Sequence, residues 1–63
     1  MVAVKERIVG ELEELIARTD KLSYFLARTD VTSLCTEQRI LLRAQHGVMV
    51  AYQQILRTRL ELM

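Results

Sequence analysis

The sequence predicts an all-α protein, a helical hairpin of two long helices joined by a short turn-containing link and packed as a homo-oligomer. Three observations carry that expectation. Apolar residues in the first part of the chain recur at alternating steps of four and three, the period of one helix face. A second helical pattern occupies the C-terminal part, and the segment between the two breaks the period. Finally, 51% of the 63 residues are hydrophobic, proline is absent and glycine occurs twice. Little in such a chain interrupts a helix, and half of it seeks burial.

The first helix is expected over residues 3–26. Its seam is Ile8, Leu12, Leu15, Thr19, Leu22 and Leu26, with Val9, Ile16 and Phe25 widening the apolar face beyond a two-stranded coiled coil. Glu6, Glu13 and Lys21 lie on the other side, and Glu14 and Arg18 are spaced for an i,i+4 ion pair. Gly10 interrupts the pattern at a cost of about 1 kcal/mol relative to alanine, which a bend, a close helix contact or a break would explain.

From Ala27 to Thr36 the period fails. β-Branched and hydroxyl residues dominate there, and they favour caps and turns over helix interiors. Val31 and Leu34 are candidates to anchor the turn. The second helix starts near Cys35 or Thr36: threonine is chemically the better cap, while Cys35 has the capping-box spacing to Gln38. It then runs from about Glu37 to near the C-terminus, without a linker, so residues 1–63 form a single domain. Ala-Arg-Thr-Asp occurs at 17–20 and again at 27–30, a spacing that fits no solenoid period and reads as coincidence.

Composition excludes several classes. No apolar run approaches the roughly 20 residues of a membrane span. The N-terminus carries Lys5, Glu6 and Arg7 where a signal peptide would be apolar, and the lone Cys35 cannot form an internal disulfide. These features read as a cytoplasmic protein that needs no cofactor. One cysteine and one histidine, Cys35 and His46, fall short of a protein-only zinc site. A net charge of +1 is a poor match to a duplex nucleic acid partner. A chain this short is marginal alone and, without disulfides or metal, is expected to gain stability by self-association.

The second helix holds the candidate functional residues. One stripe reads Leu42, Gln45, Met49, Tyr52, Leu56, Arg59 and Met63. Either Gln45 and Arg59 sit at its flank, with Arg59 snorkelling past the core, or Arg59 faces a pocket between protomers and takes an anionic ligand. Ala44, Gly47, Val48 and Ala51 form a small-residue face suited to close helix packing. A third stripe, Arg39, Arg43, His46, Gln53 and Arg57, is positive. It reads as a solvated face with phosphate binding as the alternative, and His46 as a surface histidine. Neither Cys35 nor His46 has a partner that would make a nucleophile or triad, and no Gly-rich loop or metal-ligand cluster is present. The expectation is a protein that is not an enzyme.

Residues 20–26 (Asp-Lys-Leu-Ser-Tyr-Phe-Leu), 34–45 (Leu-Cys-Thr-Glu-Gln-Arg-Ile-Leu-Leu-Arg-Ala-Gln) and 48–60 (Val-Met-Val-Ala-Tyr-Gln-Gln-Ile-Leu-Arg-Thr-Arg-Leu) together resemble a family of very short bacteriophage proteins. Its pattern is a glutamate-rich helix ending in Lys-Leu-x-x-Phe-Ile/Leu, a Leu-Ser-x-x-Glu/Gln link, then Leu-Leu-x-x-Gln, Met-x-x-Tyr and Ile-Leu-x-x-Arg. Some members resemble the anti-CBASS sponges, hexamers of helical hairpins that sequester cyclic oligonucleotide immune signals. The resemblance implies a phage anti-defence protein in the cytoplasm of an infected bacterium, binding cyclic di- or trinucleotides without hydrolysing them. It also implies ligand contacts from Lys21 and Ser23, in the place of a Lys-x-Thr/Ser pair, and from Arg59, near the end of the last helix. The base-stacking aromatic of the sponges is missing from Val2–Val9, a departure that weighs against the cyclic-dinucleotide pocket. The competing reading is a small helical module that inhibits a host protein through its apolar flank. A chorismate-mutase-like helix over Leu12–Arg28 and a helix-turn-helix are weaker still, for want of ligands, helices and positive charge.

Overall fold

The computed structural model describes residues 2–28 and 34–63. Two α-helices of 26 residues each, α1 (Val2–Ala27) and α2 (Thr36–Glu61), run antiparallel in a rod of 46 × 15 × 13 Å. Among the described residues there is no strand. The hairpin expected from the heptad pattern is therefore the architecture of the chain. Val31 lies outside the described residues, and Leu34 is half-buried.

The α1 seam follows the sequence closely. Ile8, Leu15 and Thr19 are buried, and Leu12, Leu22 and Leu26 half-buried. Thr19 keeps a polar atom in this seam by donating from Oγ1 to the Leu15 carbonyl at 2.7 Å, one turn back in its own helix. Ile16 and Phe25 are half-buried beside it, but Val9 is exposed and does not widen the face. The helix continues through Gly10 without a break, and a Cβ placed there would meet nothing within 4 Å. Within the hairpin, neither a break nor a close contact accounts for that glycine. The Glu14–Arg18 pair forms at 3.8 Å on the exposed face, where such pairs contribute little. Of the two Ala-Arg-Thr-Asp copies, the one at 17–20 is wholly helical, whereas the second begins on the last residue of α1.

Cys35 is the N-cap of α2: its backbone is extended, its carbonyl accepts from the Arg39 N–H at 3.1 Å, and no side chain caps the helix. Thr36 is already the first helical residue. Glu37 in the first turn and Arg59 in the last complement the helix dipole.

On α2 the stripe expected from the sequence is only half right. The face packed on α1 is Arg39, Leu42, His46, Met49, Gln53, Leu56 and Leu60, of which Leu56 is fully buried and Gln53 nearly so. Leu42, Met49 and Leu56 belong to it as expected. Gln45, Tyr52, Arg59 and Met63 do not: all four are exposed. The physical reason is that α2 carries two apolar faces. Leu41, Ala44, Val48, Ala51, Ile55 and Leu62 make a second heptad line on nearly the opposite side of the helix. All of it is exposed, with Val48 at 69% and Leu62 at 83%. The hairpin thus packs its more polar seam inside and leaves the more apolar one uncovered. Its core is Ile8, Leu15 and Leu56, with Leu12, Met49 and Leu60 around them.

Candidate functional site

Among the described residues, concavities lie towards both ends of the rod. The first is an open hollow of about 360 Å³ near the link, lined by Ser23, Leu26 and Ala27 of α1 and by Arg43 and His46 of α2. Ala27, at the end of α1, presents only a methyl group to it, and Arg43 and His46, three residues apart, stand together on one flank of α2. Apolar wall, hydroxyl, guanidinium and imidazole meet there. Arg39 is one turn before Arg43 on the same flank and is half-buried; its Nη2 donates to Thr36 Oγ1 at 3.4 Å, while its Nε is enclosed without a hydrogen-bond partner. Among the described residues no ion pair joins Arg39, Arg43 or His46 to a carboxylate, although Asp20 is one turn before Ser23 on α1.

The positive stripe of α2 is in part a solvated face and in part an edge of the seam. Arg43 and Arg57 are exposed, but Arg39 and His46 are half-buried and Gln53 is buried, all on the edge of the interhelical seam. His46 is half-buried and lines the open hollow, so its ring still reaches the surface.

The second hollow, of about 310 Å³, is lined by Gln54, Ile55, Thr58, Arg59 and Leu62. It is mostly hydrocarbon with one guanidinium at its edge. Ile55 and Leu62 also belong to the uncovered heptad line, so this hollow is a dimple in that apolar surface. Nearby, Tyr52 Oη donates to Glu11 Oε1 across the two helices. That bond, with a minor contribution from desolvation and the Glu11 charge, raises the Tyr52 pKa above 10.0, while the Arg59 charge opposes the shift.

The three residues expected to bind ligand are spread over this frame. Ser23 lines the hollow near the link and Arg59 the hollow at the far end. Sixteen residues of α2 separate Arg43, beside Ser23, from Arg59, or roughly 24 Å of helix. Lys21 is exposed and lines neither hollow. Two residues apart on a helix, Lys21 and Ser23 point to different sides. Within one chain none of the three meets another. Arg43 and His46, by contrast, are brought to Ser23, although the family resemblance implies a ligand contact from neither. The signal was present in the sequence: cationic or imidazole side chains at positions 39, 43 and 46 recur on one helical stripe.

Among the described residues no group of three or more His, Cys, Asp or Glu is placed to hold a metal, and no helix is long and apolar enough to cross a membrane. Cys35 is free and exposed. In comparisons with known proteins, a family model described as Sequestin matches residues 3–62, almost the entire chain. No curated protein matches, and no solved structure does.

Proposed function

The chain belongs to the Sequestin family, and from that premise we propose that it binds and sequesters a small phosphate-bearing signal, of the cyclic oligonucleotide class, without hydrolysing it. The observation that carries this reading is the family match itself. The family's name speaks of sequestration, and the match covers the same segments whose order and spacing resemble the phage sponges. The structure supports it with a hollow that combines Ser23, Arg43 and His46 with an apolar wall. Such a mixture suits phosphates together with flat bases.

Sequestration by this chain is the work of a homo-oligomer, with a hexamer as the expected form, in the cytoplasm of an infected bacterium. Two features support the assembly. Among the described residues the hairpin encloses three buried apolar side chains, a thin core for a hairpin of this length. The uncovered line of Leu41, Val48, Ile55 and Leu62 has the same heptad spacing as a packed seam and small residues, Ala44 and Ala51, between the large ones. A second copy of the chain is the occupant that every such chain has at hand. A pocket using both Ser23 and Arg59 is then shared between copies, since one chain holds them apart.

Native mass spectrometry of the protein, alone and with cyclic di- and trinucleotides, tests the reading. A closed oligomer that gains whole, unhydrolysed ligand masses supports it, and Arg59→Ala should then keep the assembly and lose the cyclic trinucleotide. An oligomer that takes up no nucleotide sinks it. A monomer sinks it as well and favours the second reading, an inhibitor that lays the same uncovered face on a host protein.

A further inference from the structure

We infer that the hollow near the link is a phosphate-binding pocket in which Arg43 and His46 of α2, with the Ser23 hydroxyl of α1, hold a phosphate group, and that Arg39 supplies positive potential from one turn away. The inference deepens the sequestration reading and rests on it for the choice of ligand class; it shares Ser23 with the contacts implied by resemblance but sets Arg43 and His46 in place of Lys21 and Arg59.

Four observations converge on it. Arg43, His46 and Ser23 line one hollow of about 360 Å³, large enough for a phosphate with part of the group that bears it. Their chemistry is complementary to a phosphate: a planar guanidinium fork, a ring N–H and a hydroxyl, all able to donate to the same oxygens. The positive charge is not spent on the protein's own carboxylates, since among the described residues neither Arg39 nor Arg43 forms an ion pair. And Arg39 is held half-buried with its Nε enclosed and unpartnered. A partly desolvated, incompletely compensated cation is unfavourable, and a nearby anion relieves it. Leu26 and Ala27 line the α1 side of the hollow with hydrocarbon. Arg57, farther along the same stripe, lines neither hollow and serves as an internal control.

The test is a titration of the ¹⁵N-labelled full chain with pyrophosphate, followed through the arginine side-chain Nε–Hε signals and the His46 ring. Saturable shifts are expected at Arg43 and His46, with Arg57 and Arg59 little moved. Arg43→Gln should weaken binding about tenfold or more, His46→Gln should weaken it less, and Arg57→Gln should leave it unchanged. Arg43 is exposed, so its variant keeps the fold, which far-UV circular dichroism checks. Absent shifts, equal shifts at every arginine, or unchanged affinity in Arg43→Gln overturn the pocket. A cyclic trinucleotide is the second arm. If it binds the protein while Arg43→Gln has no effect, the pocket falls and sequestration stands. If pyrophosphate titrates the pocket and no nucleotide binds, the pocket stands and the nucleotide reading falls.

Discussion

Tyr52 of α2 donates its phenolic hydrogen to the Glu11 carboxylate of α1, a hydrogen bond that ties the two helices together outside their apolar seam. A phenol that donates to a carboxylate is held in its neutral form, because ionising it would remove the bond and set two negative charges side by side. The Tyr52 pKa is accordingly raised above 10.0. Its contribution to stability is complete below pH 10, the unfolded value, and is lost as pH rises through the higher folded-state value. Absorbance titration at alkaline pH should show Tyr52 ionising above the ordinary range of a phenol. Glu11→Gln should move Tyr52 back towards its ordinary range. Ionisation of Tyr52 unchanged by Glu11→Gln would refute the assignment.

The core depends heavily on one residue. Leu56 is fully enclosed between Ile8, Leu15 and their neighbours. Leu56→Ala should cost about 2–5 kcal/mol, which is most of what a domain this small has to lose. Urea unfolding followed by circular dichroism at fixed protein concentration measures it. A loss below about 1 kcal/mol would mean that Leu56 is not the centre of the core.

Gly10 offers a change in the opposite direction. It lies inside α1, and a methyl group added to its Cα would have no neighbour within 4 Å. Gly10→Ala should therefore stabilise the protein by up to about 1 kcal/mol through the unfolded chain and helix propensity. A destabilised variant would instead show that another chain approaches α1 at that point.

The uncovered α2 face gives the sharpest test of assembly. Val48 is 69% exposed in the hairpin, so a charge there meets water and leaves the single chain's packing untouched. Val48→Glu should lower the mass seen by sedimentation equilibrium and leave the helix content of what remains folded. An oligomer of wild-type mass in that variant would place the contact between copies elsewhere.

How far the sequence could be read depended on how many apolar faces each helix carries. In α1 there is one, and Ile8, Leu12, Leu15, Thr19, Leu22 and Leu26 were legible from period alone. The link was legible as a break in period, although the cap fell on Cys35 and not on the chemically better Thr36. In α2 there are two candidate faces, and hydrophobicity favours the one that stays outside. His46 and Gln53 turned inward because Leu42, Met49 and Leu56 did, and polar residues between them had to follow. That rotation also carried Arg39 to the edge of the seam and Arg43 to the hollow that Ser23 lines.

By itself the sequence determined a two-helix chain with a break in period between 27 and 36 and more apolar surface than one hairpin can bury. Those properties are local or compositional: helix period, propensity and the count of hydrophobic side chains need no partner to be expressed. Only the tertiary structure decided which side of α2 meets α1, and hence that Arg43, His46 and Ser23 share a hollow while Arg59 is at the other end. Two helices can dock through any pair of apolar stripes, and the choice rests on how a few enclosed side chains such as Leu56 and Thr19 fit together across the gap.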